Sequence, residues 1–393
     1  MDGSATAEAA GVASCGRRLE QSSDERAKGR RGDGLGGRER AQGVRIRGAM
    51  PGSGRSRTGD DELGSRSSIA AAAPVEWERG RCERREEKET GRGRDEKKTG
   101  LLRSLPSAAE RLVLFEADIY DAASFEPAIQ GCEFVFLVAT PLLHDSSSTK
   151  YKNITEAIVD ATRIILQQCE RSKTVRRVIH TASVTAASPL KEDGDGYKDS
   201  MNESCWSPLN LSYGYSNVHL DAYVSSKRLS EEELLGYNDK SEGRAFEVVT
   251  LACGLVGGDT IQPILWSSIP VVVAPLTGNE MHHNSLKFIQ ALCGSVPLVH
   301  IEDVCEAHLF CMDQPSVAGR FLCAVGYPNM EDYLARFAAR YPEHKILLKK
   351  VAGEGVRVKG DSSKLVDLGF RFKYGVEETL DCSVECAKRM GEL

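Results

Sequence analysis

The chain of 393 residues carries 51 Lys and Arg against 57 Asp and Glu, and its formal charge of −6 supplies no net attraction to nucleic acid or to an anionic membrane. With 41% hydrophobic and 27% charged residues it can bury a core large enough for two domains, or for one α/β unit with an added lobe. That average conceals two unlike parts: residues 1–100 hold 18 of the 37 glycines and 22 basic against 18 acidic residues, near +4, which leaves 29 against 39, near −10, for the remainder.

Residues 1–99 run through GRRGDGLGGRER and GRCERREEKETGRGRDEKK with no hydrophobic period. They lack the apolar side chains that offset the entropy of ordering a chain, so a disordered Arg/Gly/Glu-rich arm is expected, with a short charged helix near Glu76–Lys88. No run of 18 or more apolar residues predicts a membrane span, and no charged leader precedes an apolar stretch, so a cytoplasmic chain is expected. The 12 cysteines include no CxxC pair, and Cys132, Cys169, Cys253, Cys305 and Cys311 fall inside apolar periodic segments, which reads as reduced, mostly buried thiols.

From Leu101 the texture alternates. RLVLFEAD reads as a strand, AASFEPAIQ as a short helix, CEFVFLVAT as a buried strand and TEAIVDATRIILQQCERS as an amphipathic helix. VRRVIHTAS is the next strand, AYVSSKRLSEEELLGYN the next helix and FEVVTLACGLVGG a further strand. A Pro-containing stretch through Asn284 follows, then VPLVHIEDVCEAHLFCMDQ as a strand entering a helix, GRFLCAV as a strand, MEDYLARFAARYP as a helix and a polar element at SSKLVDLGFRFKYGVEETL. Buried strands alternating with helices predict an α/β, Rossmann-like doubly wound parallel sheet. The expected division is a sheet-bearing part at 100–260 and a smaller C-terminal lobe at 261–393 that is interleaved with the last sheet elements.

The pattern richest in chemistry is Tyr223-Val-Ser-Ser-Lys227, which places a phenol and an ammonium on one helix face. A neighbouring ammonium lowers a phenol's pKa and lets it serve as a general acid or base near neutral pH. Strand VRRVIHTAS ends about forty residues upstream in Ser183, whose hydroxyl can reach the same substrate oxygen if the strand is parallel and the ligand lies at its C-terminal end. A Tyr and Lys at this spacing also occur by chance on surface helices, so the Ser-bearing strand and the α/β frame carry the reading.

Taken with KKTGLLRSLP, RLVLFEADIYDAASFEPAIQGCEFVFLVATP, NESCWS, LTGNEMH, VHIEDVCEAHLF, AGRFLCA and SSKLVDLGFRFKYG, these segments resemble the extended short-chain dehydrogenase/reductases, and among them the plant dihydroflavonol reductase and anthocyanidin reductase group. The likeness runs from about Arg94 to the C-terminus. It implies an NADPH-dependent reductase, NADH being the less favoured cofactor, acting on a small flavonoid-like molecule, an anthocyanidin or a dihydroflavonol. In that family's pattern Ser183, Tyr223 and Lys227 match the catalytic trio: Tyr223 gives a proton as hydride arrives, Lys227 lowers its pKa and holds the nicotinamide ribose, and Ser183 orients the reacting oxygen. Asp118 and Ile119 match the pair at the adenine, and Val138, Ala139 and Thr140 match the backbone passing the ribose and pyrophosphate. Arg94 falls where the family meets the 2′-phosphate of NADP, and Ser188 falls at the substrate-reading position.

Three departures stand out. The family's opening strand, glycine-rich turn and helix have no counterpart, because Gly32, Gly34 and Gly37 follow a basic tract rather than an apolar strand. The shift near Arg94 from patternless sequence to family match is read as replacement of the first coding segment. Ala252 and Cys253 stand where the family places a Pro, and Ser188 stands where dihydroflavonol reductases place an Asn or Asp, which leans toward the anthocyanidin side. The alternative is a non-catalytic relative that binds no dinucleotide and acts through partners. His180 reads as a packed core residue, Asp303 as a helix N-terminal residue, and adjacent His282 and His283 as no zinc site.

Overall fold

The computed structural model describes residues 99–138, 140, 144, 148–239, 243–265 and 268–393. The expected arm, the charged helix near Glu76–Lys88, Arg94 and Ala139 lie outside the described residues; Thr99, assigned to the arm, opens a helical turn at 99–103.

Among the described residues, β1 (Phe134–Leu137), β2 (Arg177–Ser183), β3 (Glu247–Cys253) and β6 (Gly319–Cys323) form one parallel sheet in that order. Two further strands, β4 (Leu255–Gly257) and β5 (Leu298–His300), pair separately and in parallel. The longer helices are α1 (Ile154–Ser172), α2 (Val218–Gly236), α3 (Ser268–Thr277), α4 (Glu280–Cys293) and α5 (Ile301–Asp313) between the strands, and α6 (Met330–Arg340) and α7 (Val376–Arg389) after them. The Asn153 side chain caps α1 by accepting from the Glu156 amide at 2.9 Å, and Asn217 caps α2 by accepting from His219 and Leu220.

Even-numbered residues of the central strands, Val178, Ala182, Val248 and Ala252, pack under α1 and α2, whereas Ile179, Val249, Leu251 and Cys253 pack under α5. Burial on both faces explains why β2 and β3 read as nearly continuous apolar runs. The register aligns Ser183 with Cys253 and Cys253 with Cys323, so three strands end on one line at the sheet's C-terminal edge. β1 stops at Leu137, opposite His180, and its continuation starts toward that same edge.

Two expectations are corrected. RLVLFEAD forms no strand: helix Ala108–Arg111 gives way to irregular chain with a single bridge between Asp118 and Asp121. Its composition suits a strand, but a parallel ladder needs a neighbour, and none pairs with it among the described residues. The Pro-containing stretch through Asn284 instead holds α3 and the first turn of α4. α3 is apolar on nearly every side and contains Pro275, so neither an amphipathic period nor an uninterrupted helical composition announces it. The polar element at the C-terminus resolves into a turn of helix at Ser363–Asp367 and the long α7.

The sheet's lower edge is tied by Arg177, which donates to Glu247 (3.0 Å from Nε) and to the carbonyls of Cys311, Met312 and Gln314 at the end of α5. Burial alone would raise the Glu247 pKa, but the Ser316 hydroxyl, Arg177 and the Val317 amide outweigh it and hold the carboxyl below its ordinary 4.5. A carboxylate lowered in the folded state adds stability that is complete above its unfolded pKa and is lost as pH falls through the folded one. The urea midpoint is therefore expected to drop more steeply between about pH 5 and about pH 3 in the parent chain than in Glu247→Gln. Parallel pH profiles would show that this carboxylate contributes nothing.

Candidate active site

Ser183 ends β2 and caps the 3-10 turn Val184–Ala186. Its Oγ accepts from the Thr185 amide at 3.2 Å and from the Thr185 hydroxyl at 2.9 Å. Two lone pairs are thereby used, and what the Ser183 hydroxyl retains is its donor hydrogen, the capacity a substrate oxygen requires.

α2 packs across β2, β3 and the turn after Ser183. Asn217 starts this helix so that Tyr223 and Lys227 fall one turn apart on the face toward the sheet. Lys227 is 0% exposed; its Nζ donates to the Thr181 carbonyl at 3.0 Å and stands 5.8 Å from the Tyr223 ring centroid. Tyr223 is half-buried. Thr181 lies two residues before Ser183, so the bond that houses the buried ammonium also fastens the Tyr-bearing helix to the Ser-bearing strand.

Two imidazoles flank this strand. His180 is buried with Nδ1 3.0 Å from the Leu137 carbonyl, and burial followed by the Lys227 charge lowers its pKa to about 3. His308 sits 2.7 Å from the Thr181 hydroxyl through Nε2 and 2.7 Å from the Val304 carbonyl through Nδ1, and burial lowers its pKa as well. His180 is therefore neutral at neutral pH and acts as a packed, hydrogen-bonded support for the end of β1.

The other sequence-selected residues are less closely gathered. Asp118 forms a local turn, its Oδ1 accepting from the Tyr120 amide at 2.9 Å, and Ile119 packs on the core beneath α1. Val138 follows β1, and Thr140 is buried beyond it. Ser188 is fully buried, donates to the Leu292 carbonyl and accepts from the Leu190 amide at 3.0 Å, so its hydroxyl pins the turn to α4 rather than facing a ligand. Asp303 belongs to the first turn of α5, as expected, but its carboxylate accepts from the Lys373 and Tyr374 amides at 2.8 and 3.1 Å, and His300 caps the helix. Burial raises the Asp303 pKa despite those two amides.

Sequence reading missed Thr181, Thr185, His308 and a buried pair formed by Glu231 and Arg320. Only Glu231 left a usable trace, standing four residues after Lys227 on the stripe that begins at Tyr223.

Residues 86–264 match the 3-beta hydroxysteroid dehydrogenase/isomerase family. The chain is 32% identical over 302 residues to the (2S)-flavan-3-ol-forming anthocyanidin reductase of Vitis vinifera, covering 76% of this chain and 86% of that protein. Among solved structures it resembles vestitone reductase from alfalfa, Medicago sativa, with a TM-score of 0.58 and 31% identity over 74% of this chain and 87% of the other. The yeast methylglyoxal/isovaleraldehyde reductase Gre2 complexed with NADPH shares the fold at a TM-score of 0.55 and 19% identity, covering 71% of this chain and 85% of that one. A Ser-ended parallel strand, a Tyr and Lys one turn apart on the helix above it, and similarity over three quarters of the chain meet in one conclusion: the protein belongs to the extended short-chain dehydrogenase/reductases, a family of NAD(P)-dependent oxidoreductases, in its plant anthocyanidin and dihydroflavonol reductase group.

Proposed function

We propose that the chain is an NADPH-dependent reductase of a flavonoid-like substrate, with Tyr223 as the general acid. The observation that carries this reading is the Lys227 to Thr181 bond, which holds the phenol-bearing helix against the strand ending in Ser183 at the ligand-binding edge of the sheet. The residues present suit the nicotinamide end of a dinucleotide: a buried ammonium beside a half-buried phenol, and a serine hydroxyl with its donor hydrogen uncommitted. Tyr223 and Lys227 would hold the nicotinamide ribose, Asp118 and Ile119 the adenine, and the backbone at Val138 and Thr140 the phosphates. When bound, NADPH supplies the hydride. Ser183 donates to the substrate oxygen and fixes its orientation, Tyr223 delivers a proton to the reduced substrate, and Lys227 stabilises the tyrosinate left behind.

The reading assigns 100–260 to the cofactor and 261–393 mainly to the substrate, in the cytoplasm; no helix among the described residues is long and apolar enough to cross a membrane. An anthocyanidin is favoured over a dihydroflavonol because Ser188 offers no free polar group to a substrate ring.

Titrating the full chain with NADPH and following nicotinamide fluorescence is expected to give saturable binding that Lys227→Ala weakens at least tenfold, a loss of about 1.4 kcal/mol. Absence of saturable binding would overturn the reading and leave the non-catalytic alternative. Turnover of anthocyanidin against dihydroflavonol then separates the two substrates.

A further inference from the structure

We infer that the buried Glu231–Arg320 pair is the positioning element that sets Ser183 against Tyr223, an inference that rests on the reductase reading above. Glu231 continues the Tyr223–Lys227 stripe of α2, eight residues beyond Tyr223 and so about 12 Å further along the helix axis. Its carboxylate is 0% exposed and accepts from Arg320 Nε at 3.0 Å, from Arg320 Nη2 at 2.8 Å and from the Thr250 hydroxyl at 2.7 Å.

Arg320, on β6, spends its remaining donors on the other half of the site. Nη2 donates to the Ala186 carbonyl at 3.1 Å, and Nη1 donates to the carbonyls of Glu203, at 3.2 Å, and Cys205. Its guanidinium carbon lies 3.7 Å from the Trp206 ring centroid, so an aromatic ring stacks against the fork. Ala186 is the last residue of the 3-10 turn that Ser183 caps. One planar fork therefore ties the Tyr/Lys helix to the turn issuing from Ser183, across β3 and β6.

The Lys227 to Thr181 bond fastens α2 to β2, and Arg228 Nη1, donating to the Ser207 carbonyl, and the Arg163–Glu233 ion pair with α1 fasten it elsewhere along its length. The bidentate arginine–carboxylate contact one turn beyond Lys227 adds a restraint on the roll of α2 that also reaches the turn after Ser183, because the fork donates to both carboxylate oxygens in one plane. An apolar pair would fill the same volume without directing anything at Ala186. Reacting groups displaced by about 1 Å lose on the order of a hundredfold in rate, so a device that fixes roll acts directly on turnover. Glu231 and Arg320 are positioning residues; neither is assigned a contact with substrate.

The test is a double-mutant cycle. Glu231→Gln is expected to lower kcat at least tenfold with both KM values within about twofold, and to lower it by a clearly smaller factor in a Ser183→Ala background, where only the displacement of Tyr223 still counts. An equal loss in both backgrounds, or an unchanged kcat, overturns the inference. Amide exchange supplies a readout independent of turnover: Glu231→Gln is expected to speed exchange at Thr185 and Ala187, whose amides bond Ser183 Oγ and the Val184 carbonyl, at least tenfold, with the β1–β2 ladder unchanged. Turn amides that exchange as in the parent chain overturn it too. If the parent chain reduces neither substrate, the reductase reading falls and amide exchange alone decides whether the pair organises the turn. Should Glu231→Gln fail to fold, Arg320→Lys, which keeps the charge and loses the fork, is read in the same way.

Discussion

Replacing Tyr223 with Phe is expected to lower kcat roughly a thousandfold, the scale at which a positioned general acid contributes. The substitution removes one oxygen from a half-buried side chain and leaves the ring, so packing against α2's neighbours persists. Lys227 keeps its bond to the Thr181 carbonyl, which does not involve the phenol, and the helix stays on its strand. NADPH affinity should therefore change by less than about tenfold, since the ammonium and the cofactor-facing backbone are retained. Ser183→Ala should cost less in kcat, because a hydroxyl that orients the substrate oxygen does not itself supply the proton; it also releases Thr185, whose amide and hydroxyl both bond to it. Steady-state kinetics with nicotinamide absorbance as the signal measures all three quantities. A Tyr223→Phe variant with kcat within threefold of the parent would remove Tyr223 from the chemistry.

The largest effect on stability is expected from Arg320→Ala, about 4 kcal/mol, since breaking one side of a buried ion pair leaves an uncompensated charge. Glu231 is 0% exposed and Arg320 only 4%, so water cannot replace the lost partner without opening the core between α2 and β6. Among the described residues the Thr250 hydroxyl would remain as the donor to Glu231, and a single neutral hydrogen bond does not stabilise a buried carboxylate. The carbonyls of Glu203 and Cys205 also lose the Arg320 donor, and that of Ala186 loses one of two, keeping the Ser207 amide. Removing both charges together, as Glu231→Leu with Arg320→Met, should restore most of the lost stability, because apolar groups of similar volume replace a pair that was costly to desolvate. Urea unfolding of the parent, the single variant and the double variant measures this. A double variant as unstable as Arg320→Ala would show that the three carbonyl contacts, not the charges, dominate.

These two effects differ in how visible they were beforehand. Tyr223 and Lys227 were legible because helical spacing alone places residues four apart on one face, and Ser183 because an apolar run ending in a hydroxyl marks a strand meeting the binding edge. Family resemblance supplied the roles and the cofactor. Arg320 was not legible: it sits 89 residues from Glu231, inside the unremarkable strand segment GRFLCAV. Ser188 shows the opposite failure, a position selected by resemblance whose hydroxyl is consumed by the Leu292 carbonyl of a helix that went unread. RLVLFEAD shows a third kind, since strand composition is a local property whereas a strand exists only with a partner.

The amino-acid sequence by itself determined the order of buried strands and helices from β1 to α6, apart from α3, α4 and the break between β3 and β4, and the spacing of Tyr223 and Lys227. Both follow from short-range periodicity, which is set within a few residues. Tertiary structure alone decided which strands pair, which face each side chain meets, and that one guanidinium joins the Tyr-bearing helix to the turn after Ser183. Those outcomes depend on contacts between segments tens of residues apart, and a linear pattern holds no record of the distance between them.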